Sequence, residues 1–373
     1  MAAPPPTSEP DYPADLVARV RGMIEKDFLP KESGFTKLID GPTEPNSIHV
    51  FYPPLLLGYY SAFREAVLVH GAFPRKDKEI LGSFVSNTNA CVFCTDSHQL
   101  MAKSQGADLA EVRMAVAVNN PMALSNKSLG EIIQCITACQ QKSKAEEISE
   151  KGLFSKEEGA ELIGTTFIFN YINRIMDTYI SREKLLPAVP GFVKFFYNNF
   201  SFAKNYLENQ LVKHVFGKLK NFNTPGDSAR AMDRFPNLPS GYYEWVKANE
   251  PIAQAFAYWD WSIGALADEF IPKNVTDFVG AYIWEKYDGS TPPLSRNWVF
   301  EATEDMEGSE AEKFAASFML LVSFSRFQID ENLKQDLKKR FPDFDVCRAM
   351  AMWAAFQTAK KTAEWTGDAL AQS

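Results

Sequence analysis

The chain lacks most of the features that announce common function classes. Only 4 of its 373 residues are histidine and 5 are cysteine. An odd number of cysteines in so long a chain does not make a disulfide framework, and any close pair among them is a candidate for redox chemistry or metal binding. Basic residues give no excess: the net charge is −8, no basic stripe is present to neutralise phosphates, and nucleic acid is not an expected partner. No apolar run approaches the ~20 residues needed to cross a bilayer, so no membrane partner is expected either. Residues 1–13 are rich in proline, with neither a basic patch nor an apolar core, and a cytoplasmic protein is expected. In that setting the Asn-x-Ser/Thr triplets at Asn126, Asn199 and Asn274 read as chance matches. Hairpin signals are scarce, and Asp288-Gly289 lacks alternating β-branched flanks.

What is present is helical. With 46% hydrophobic and 23% charged residues the chain falls among folded globular proteins. Its length allows two domains, or one large helical domain with a duplicated interior. Ser155 and Glu158 form a capping box that opens the apolar run 160–179, and Ser128 with Glu131 and Ser309 with Glu312 mark two more helix starts. The expected fold class is all-α.

Sliding the chain against itself reveals an ungapped internal repeat. Pro53 falls on Pro251, Tyr60 on Tyr258, Leu68 on Leu266, Pro74 on Pro272 and Gly82 on Gly280, while Phe63 meets Trp261 and Glu79 meets Asp277. The helix starts at Ser128 and Ser309 correspond, as do the final helices near Ala160 and Val346. The expected organisation is an N-terminal extension (1–45), a first domain (46–180), a helical and loop connection rich in proline (181–240) and a degenerate repeat (241–373).

The chemistry concentrates at Glu79 and the Cys91-x-x-Cys94-x-x-x-His98 segment. On a helix these three positions share one face within two turns. Asn87, Thr88 and Asn89 are N-cap candidates that place both cysteines in the first turns of a new helix, where free amides and the helix dipole favour a thiolate. A thiolate attacks a peroxide or disulfide, a second thiol three residues away resolves the product, and a histidine protonates the departing oxygen. Glu79, near the start of a preceding helix over about 75–86, is placed to orient the imidazole.

Glu79, Cys91, Cys94 and His98 at these spacings resemble the signature of the AhpD-like, or carboxymuconolactone decarboxylase-like, superfamily of all-helical proteins. Residues 53–71 as the helix before, Lys78-Glu79-Ile80-Leu81 in place of the family's Arg-Glu-hydrophobic start, Ser104 to Ala107 following, and the 169–177 segment resembling the closing helix fit too. The likeness covers about residues 46–180 well and the rest weakly. It implies an alkylhydroperoxidase D type bundle in which Cys94 is the attacking thiol, Cys91 resolves it, and His98 and Glu79 form a proton relay. It also implies a peroxide or disulfide substrate and a lipoyl-bearing or thioredoxin-like dithiol electron donor; no cofactor and no metal is expected. Such domains commonly form trimers or hexamers, so a chain with two copies is expected to be a monomer or small homo-oligomer with halves related by a pseudo-twofold axis. Proximity to His98 one turn away independently favours Cys94 as the nucleophile, and Cys91 is expected on the side open to a reductant. The second half departs from the pattern: Gly289, Pro292 and Arg296 stand where Cys91, Cys94 and His98 would be, and only Asp277 keeps a carboxylate.

Other readings compete. Cys91, Cys94 and His98 are a possible zinc set, with Glu79, Cys135 or Cys139 as a fourth ligand. Cys135 and Cys139, four apart on an apolar helix, and Cys347 read more simply as small core hydrophobes. The superfamily also contains decarboxylases and isomerases with an acid/base histidine, and a non-catalytic scaffold is a third class. His49, His70 and His214 read as surface or structural histidines; Tyr59, Tyr60, Trp259 and Trp261 read as core or interface aromatics. The acidic run 301–312 reads as a solvated loop and helix start.

Overall fold

A computed structural model describes residues 47–148, 155–180, 199–214, 225–226 and 243–371. The N-terminal extension and most of the connection lie outside the described residues. The rest is helical, without a strand among the described residues. Helix α1 (Pro53–Phe63) begins at a proline pair, suited to a first turn whose amides have no partner, and runs into a π-helical turn (Arg64–Leu68). Then come α2 (Arg75–Thr88), α3 (Val92–Ser104), α4 (Leu109–Ala117), α5 (Lys127–Ala138), α6 (Lys142–Ile148) and α7 (Lys156–Ile175), which ends in a second π-helical turn (Met176–Ile180). From the connection, α8 (Ser201–His214) lies along α3, tied by Lys103 Nζ to Asn209 Oδ1 at 2.8 Å. The second half contains α9 (Glu250–Phe270), α10 (Lys273–Lys286), α11 (Asn297–Thr303), α12 (Glu310–Phe324), a 3-10 turn (Arg326–Gln328), α13 (Glu331–Arg340) and α14 (Phe344–Ala371). No helix among them is long and apolar enough to cross a membrane.

The helix starts follow local chemistry. Ser155 and Ser309 each form a complete capping box with the glutamate three residues on. At α5 the expected start shifts: Asn126, not Ser128, is the cap, because its Oδ1 already accepts from the Leu129 amide.

At the repeat offset α9 and α10 fall on α1 and α2. The stretch that carries Cys91, Cys94 and His98 has no helical counterpart, since residues 287–296 carry no helix, while α11 falls on the second half of α3. The corresponding pairs α1 with α9 and α7 with α14 pack on each other, which is the packing a pseudo-twofold relation would produce. Aromatic rings from these four helices fill the seam: Trp259 meets Tyr171 at 4.8 Å, Phe356 at 5.0 Å, Phe167 at 5.4 Å and Tyr59 at 5.7 Å. These separations and their edge-on or tilted ring angles are favourable for aromatic pairs. Polar bonds complete the seam. Arg174 donates to Tyr287 Oη at 2.9 Å and Ser323 O at 3.3 Å, and Trp365 Nε1 donates to the Cys139 carbonyl at 2.7 Å. Gly289, at φ 81, sits so near the Gln140 carbonyl that a Cβ would lie 1.9 Å from the oxygen.

Candidate redox site

The turn between α2 and α3 builds the site. Ala90 N donates to Asn87 O and Cys91 N to Ser86 O, both at 2.9 Å, the paired bonds of a Schellman closure. Its left-handed residue is Ala90, at φ 55, where a side chain costs on the order of 1 kcal/mol. The backbone thus ends α2, and the expectation that Asn87, Thr88 or Asn89 caps the next helix is corrected. Asn87 and Asn89 instead reach sideways, to Val116 O at 3.1 Å and Asn170 Oδ1 at 3.0 Å. Cys91 itself takes the N-cap position of α3, with extended backbone (φ −85, ψ 91), and Cys94 lies in the first turn.

The two sulfurs are 2.8 Å apart and both thiols are free. Exposure is 0% for Cys91 and 3% for Cys94, so Cys91 is not the more open of the two, contrary to expectation. Between the cysteines Val92 is exposed, at 40%, and Phe93 is half-buried. Burial first, then the adjoining Cys91 sulfur and the Asp177 carboxylate, push the Cys94 thiol well above its ordinary range, while the Arg326 guanidinium pulls the other way. The expected net lowering by the helix N-terminus is therefore outweighed at Cys94.

One turn beyond Cys94, His98 Nδ1 meets Glu79 Oε2 at 2.6 Å. The other carboxylate oxygen accepts from Arg75 Nε at 2.9 Å, and all three side chains are buried. Burial works to raise the Glu79 carboxyl, but the Arg75 guanidinium and the His98 imidazole outweigh it and hold the group below the ordinary carboxylate range. The edge-on Phe169 ring, 4.4 Å from the imidazole, fixes its plane. Phe169 reaches that place over Gly82, where a Cβ would lie 2.2 Å from the ring. The four sequence-predicted residues therefore form two adjoining pairs, a dithiol and an imidazole-carboxylate.

Four further residues join the site without having been picked from the sequence. Arg75 had a signal, since it precedes Glu79 by four on a predicted helix. Tyr59, Asp177 and Arg326 come from α1, the π-helical turn after α7 and the second half, and no local pattern marked them. Tyr59 is buried, and burial with the Cys94 sulfur nearby pushes its hydroxyl far above the ordinary tyrosine range. Its ring stacks on His49 at 4.3 Å, and His49 Nε2 lies 2.7 Å from Tyr171 Oη, so His49 is a satisfied core residue. His70 is exposed, and the side chain of His214 lies outside the described residues.

Lys78, in place of the family's arginine, is also buried and serves the α1-α2 loop, donating to Val69 O at 2.7 Å and Glu161 Oε2 at 3.2 Å. Among the described residues no group of three or more His, Cys, Asp or Glu side chains is arranged to hold a metal ion. Cys135, Cys139 and Cys347 are buried, the first two on and at the end of α5 and the third on α14. Asp277, the second-half partner of Glu79, pairs with Lys273 at 2.8 Å on an exposed surface.

Residues 54–130, which contain Glu79, both cysteines and His98, match the carboxymuconolactone decarboxylase family. The chain is also similar to an alkyl hydroperoxide reductase of Mycobacterium tuberculosis, 23% identical over 322 residues that cover 84% of this chain and 83% of the relative. That span necessarily includes parts of both halves. The matched segment, this relative and the helical architecture make the chain similar to the AhpD-like, carboxymuconolactone decarboxylase family.

Proposed function

We propose that the protein is a thiol-dependent hydroperoxide reductase. The observation that carries the reading is the juxtaposition of two free sulfurs 2.8 Å apart with a buried imidazole-carboxylate pair at 2.6 Å. The name of the mycobacterial relative supports the same class of reaction. His98, oriented by Glu79, accepts the proton of Cys94, which burial otherwise keeps on the sulfur. The thiolate attacks the terminal oxygen of the hydroperoxide. The O–O bond breaks, Cys94 becomes a sulfenic acid, and the alkoxide leaves as the alcohol with the proton returned by His98. The Cys91 thiol then attacks the Cys94 sulfur, forming the disulfide and releasing water. An external dithiol, lipoyl-bearing or thioredoxin-like, restores both thiols by two exchange steps and is itself oxidised to a disulfide.

The second half has no cysteine or histidine at the corresponding positions, so one reaction centre per chain is proposed, in a monomer or small homo-oligomer. A disulfide substrate would enter the same cycle by exchange. The imidazole-carboxylate pair is also what a family decarboxylase or isomerase would use, but such a reaction gives the adjoining sulfurs no role. Stopped-flow consumption of cumene hydroperoxide with a dithiol donor tests the proposal. Turnover with one alcohol formed per donor oxidised is expected, and no consumption by fully reduced protein would overturn it.

A further inference from the structure

The second half lacks the redox residues, yet a chain of hydrogen bonds runs from it to the dithiol turn through α7. Two asparagines one turn apart on α7 meet the end of α2. Asn173 Oδ1 accepts from Ser86 Oγ at 3.2 Å, and Asn170 Oδ1 accepts from Asn89 Nδ2 at 3.0 Å. Ser86 is also the residue whose carbonyl accepts from the Cys91 amide at 2.9 Å, and Asn89 directly precedes the left-handed Ala90. The closure that presents Cys91 is thus held from α7 at two of its residues. The neighbouring Phe169 sets the His98 ring, so one stretch of α7 serves both adjoining pairs of the site.

The two asparagines are unusual core residues. Asn170 is 1% exposed and Asn173 0%, and each leaves its Nδ2 buried with no partner among the described residues. A buried amide without a hydrogen bond is destabilising, and an apolar side chain of similar size would avoid that loss. Departures of this kind concentrate where function demands them. Arg174 carries the link onward. Its Nη1 donates to Asn170 O at 2.7 Å, its Nη2 to Tyr287 Oη at 2.9 Å and its Nε to Ser323 O at 3.3 Å. Tyr287 and Ser323 belong to the second half, and Tyr287 is itself fixed by its stack on Trp365, with ring centroids 5.7 Å apart. At the repeat offset Tyr287 stands where Asn89 stands in the first half, so equivalent positions of the two halves meet on the same stretch of α7.

We propose that Asn170 and Asn173 are positioning residues of the dithiol turn, and that the second half holds them in place through Arg174 and Tyr287. This rests on the reading of Cys91 and Cys94 as a redox pair. The clamp acts on closure of the disulfide. With the turn fixed, the two thiols stand 2.8 Å apart before any bond forms, and the freedom that closure would remove has already been removed by the fold. A loosened turn lets the reduced sulfurs separate and disfavours the disulfide relative to the dithiol.

The test is the exchange equilibrium of the full chain with dithiothreitol, which passes two electrons and two protons to the Cys91-Cys94 disulfide and becomes a cyclic disulfide. The ratio of the two forms is read from the mass of the peptide that carries both cysteines. No hydroperoxide takes part, so a protein that fails to reduce hydroperoxides can still pass, and the reverse. Asn173→Ala is expected to lower the equilibrium constant for the disulfide form by about fivefold, the scale of one hydrogen bond. Tyr287→Phe, which removes a single oxygen, is expected to lower it by about threefold. Thr303→Val breaks the buried 2.9 Å bond between Thr303 Oγ1 and Ser317 Oγ; it is expected to lower the melting temperature and leave the constant at the parent value. An unchanged constant in Asn173→Ala, or a drop of the same size in Thr303→Val, would overturn the clamp. An unchanged constant in Tyr287→Phe would overturn its link to the second half. Should Asn173→Ala not fold, Ser86→Ala removes the other partner of the same bond and decides in its place.

Discussion

Glu79 is completely buried, and a carboxylate in that setting would take up a proton unless countercharges held it ionised. Arg75 and His98 do so. Because the folded carboxyl titrates below its unfolded value, its contribution to stability is complete at neutral pH. It is lost as pH falls below the ordinary carboxylate range and through the folded value. Urea midpoints measured from pH 7 down to pH 3 are expected to fall less steeply in Glu79→Gln than in the parent. In turnover, Glu79→Gln and His98→Ala are each expected to slow hydroperoxide consumption by about a hundredfold, the scale of losing a positioned acid or base. Unchanged rates in both, with folding verified by circular dichroism, would remove the relay. At this scale the sequence displays the four core positions, because Cys-x-x-Cys-x-x-x-His is a local pattern. It hides the Asp177–Arg326 ion pair, since nothing local brings positions 149 residues apart together.

The elements that hold these side chains depend on two small residues. Gly82 lets the Phe169 ring lie across α2 and reach His98. Gly82→Ala must push that ring toward the imidazole, and overpacking of this kind costs about 1–3 kcal/mol. The expected result is a lower melting temperature together with slower turnover, whereas an unchanged rate would show that Phe169 does not set the imidazole. Ala90 is the opposite case. Ala90→Gly relieves the left-handed strain of the turn and is expected to leave stability level or raised by up to about 1 kcal/mol, read from the denaturation midpoint. Capping boxes made the α7 and α12 starts legible from the sequence. The α2-α3 boundary was misplaced because its closure is made by backbone bonds around a left-handed alanine, and alanine carries no turn signal.

Across the whole molecule the halves share one aromatic seam, with Trp259 between rings of α1, α7 and α14. A single cooperative transition is therefore expected in calorimetry of the intact chain; two separated transitions would contradict a shared core. The first two helices of the second half were legible, since Pro251 and Pro272 stand at the starts of α9 and α10 as Pro53 and Pro74 do at those of α1 and α2. The loss of helix over residues 287–296 was foreshadowed only by the missing side chains, not by any sign of a change in the backbone there. What the intact molecule does with its dithiol is the central question, and it is answered by mass spectrometry after one equivalent of cumene hydroperoxide. In the native protein the disulfide Cys91-Cys94 is predicted; Cys91→Ser should stop at a trappable Cys94 sulfenic acid, and Cys94→Ser should stay unmodified at the site. A sulfenate on Cys91 in the Cys94→Ser protein, with Cys91→Ser inert, would reverse the roles, and inertness of the native protein would contradict the account.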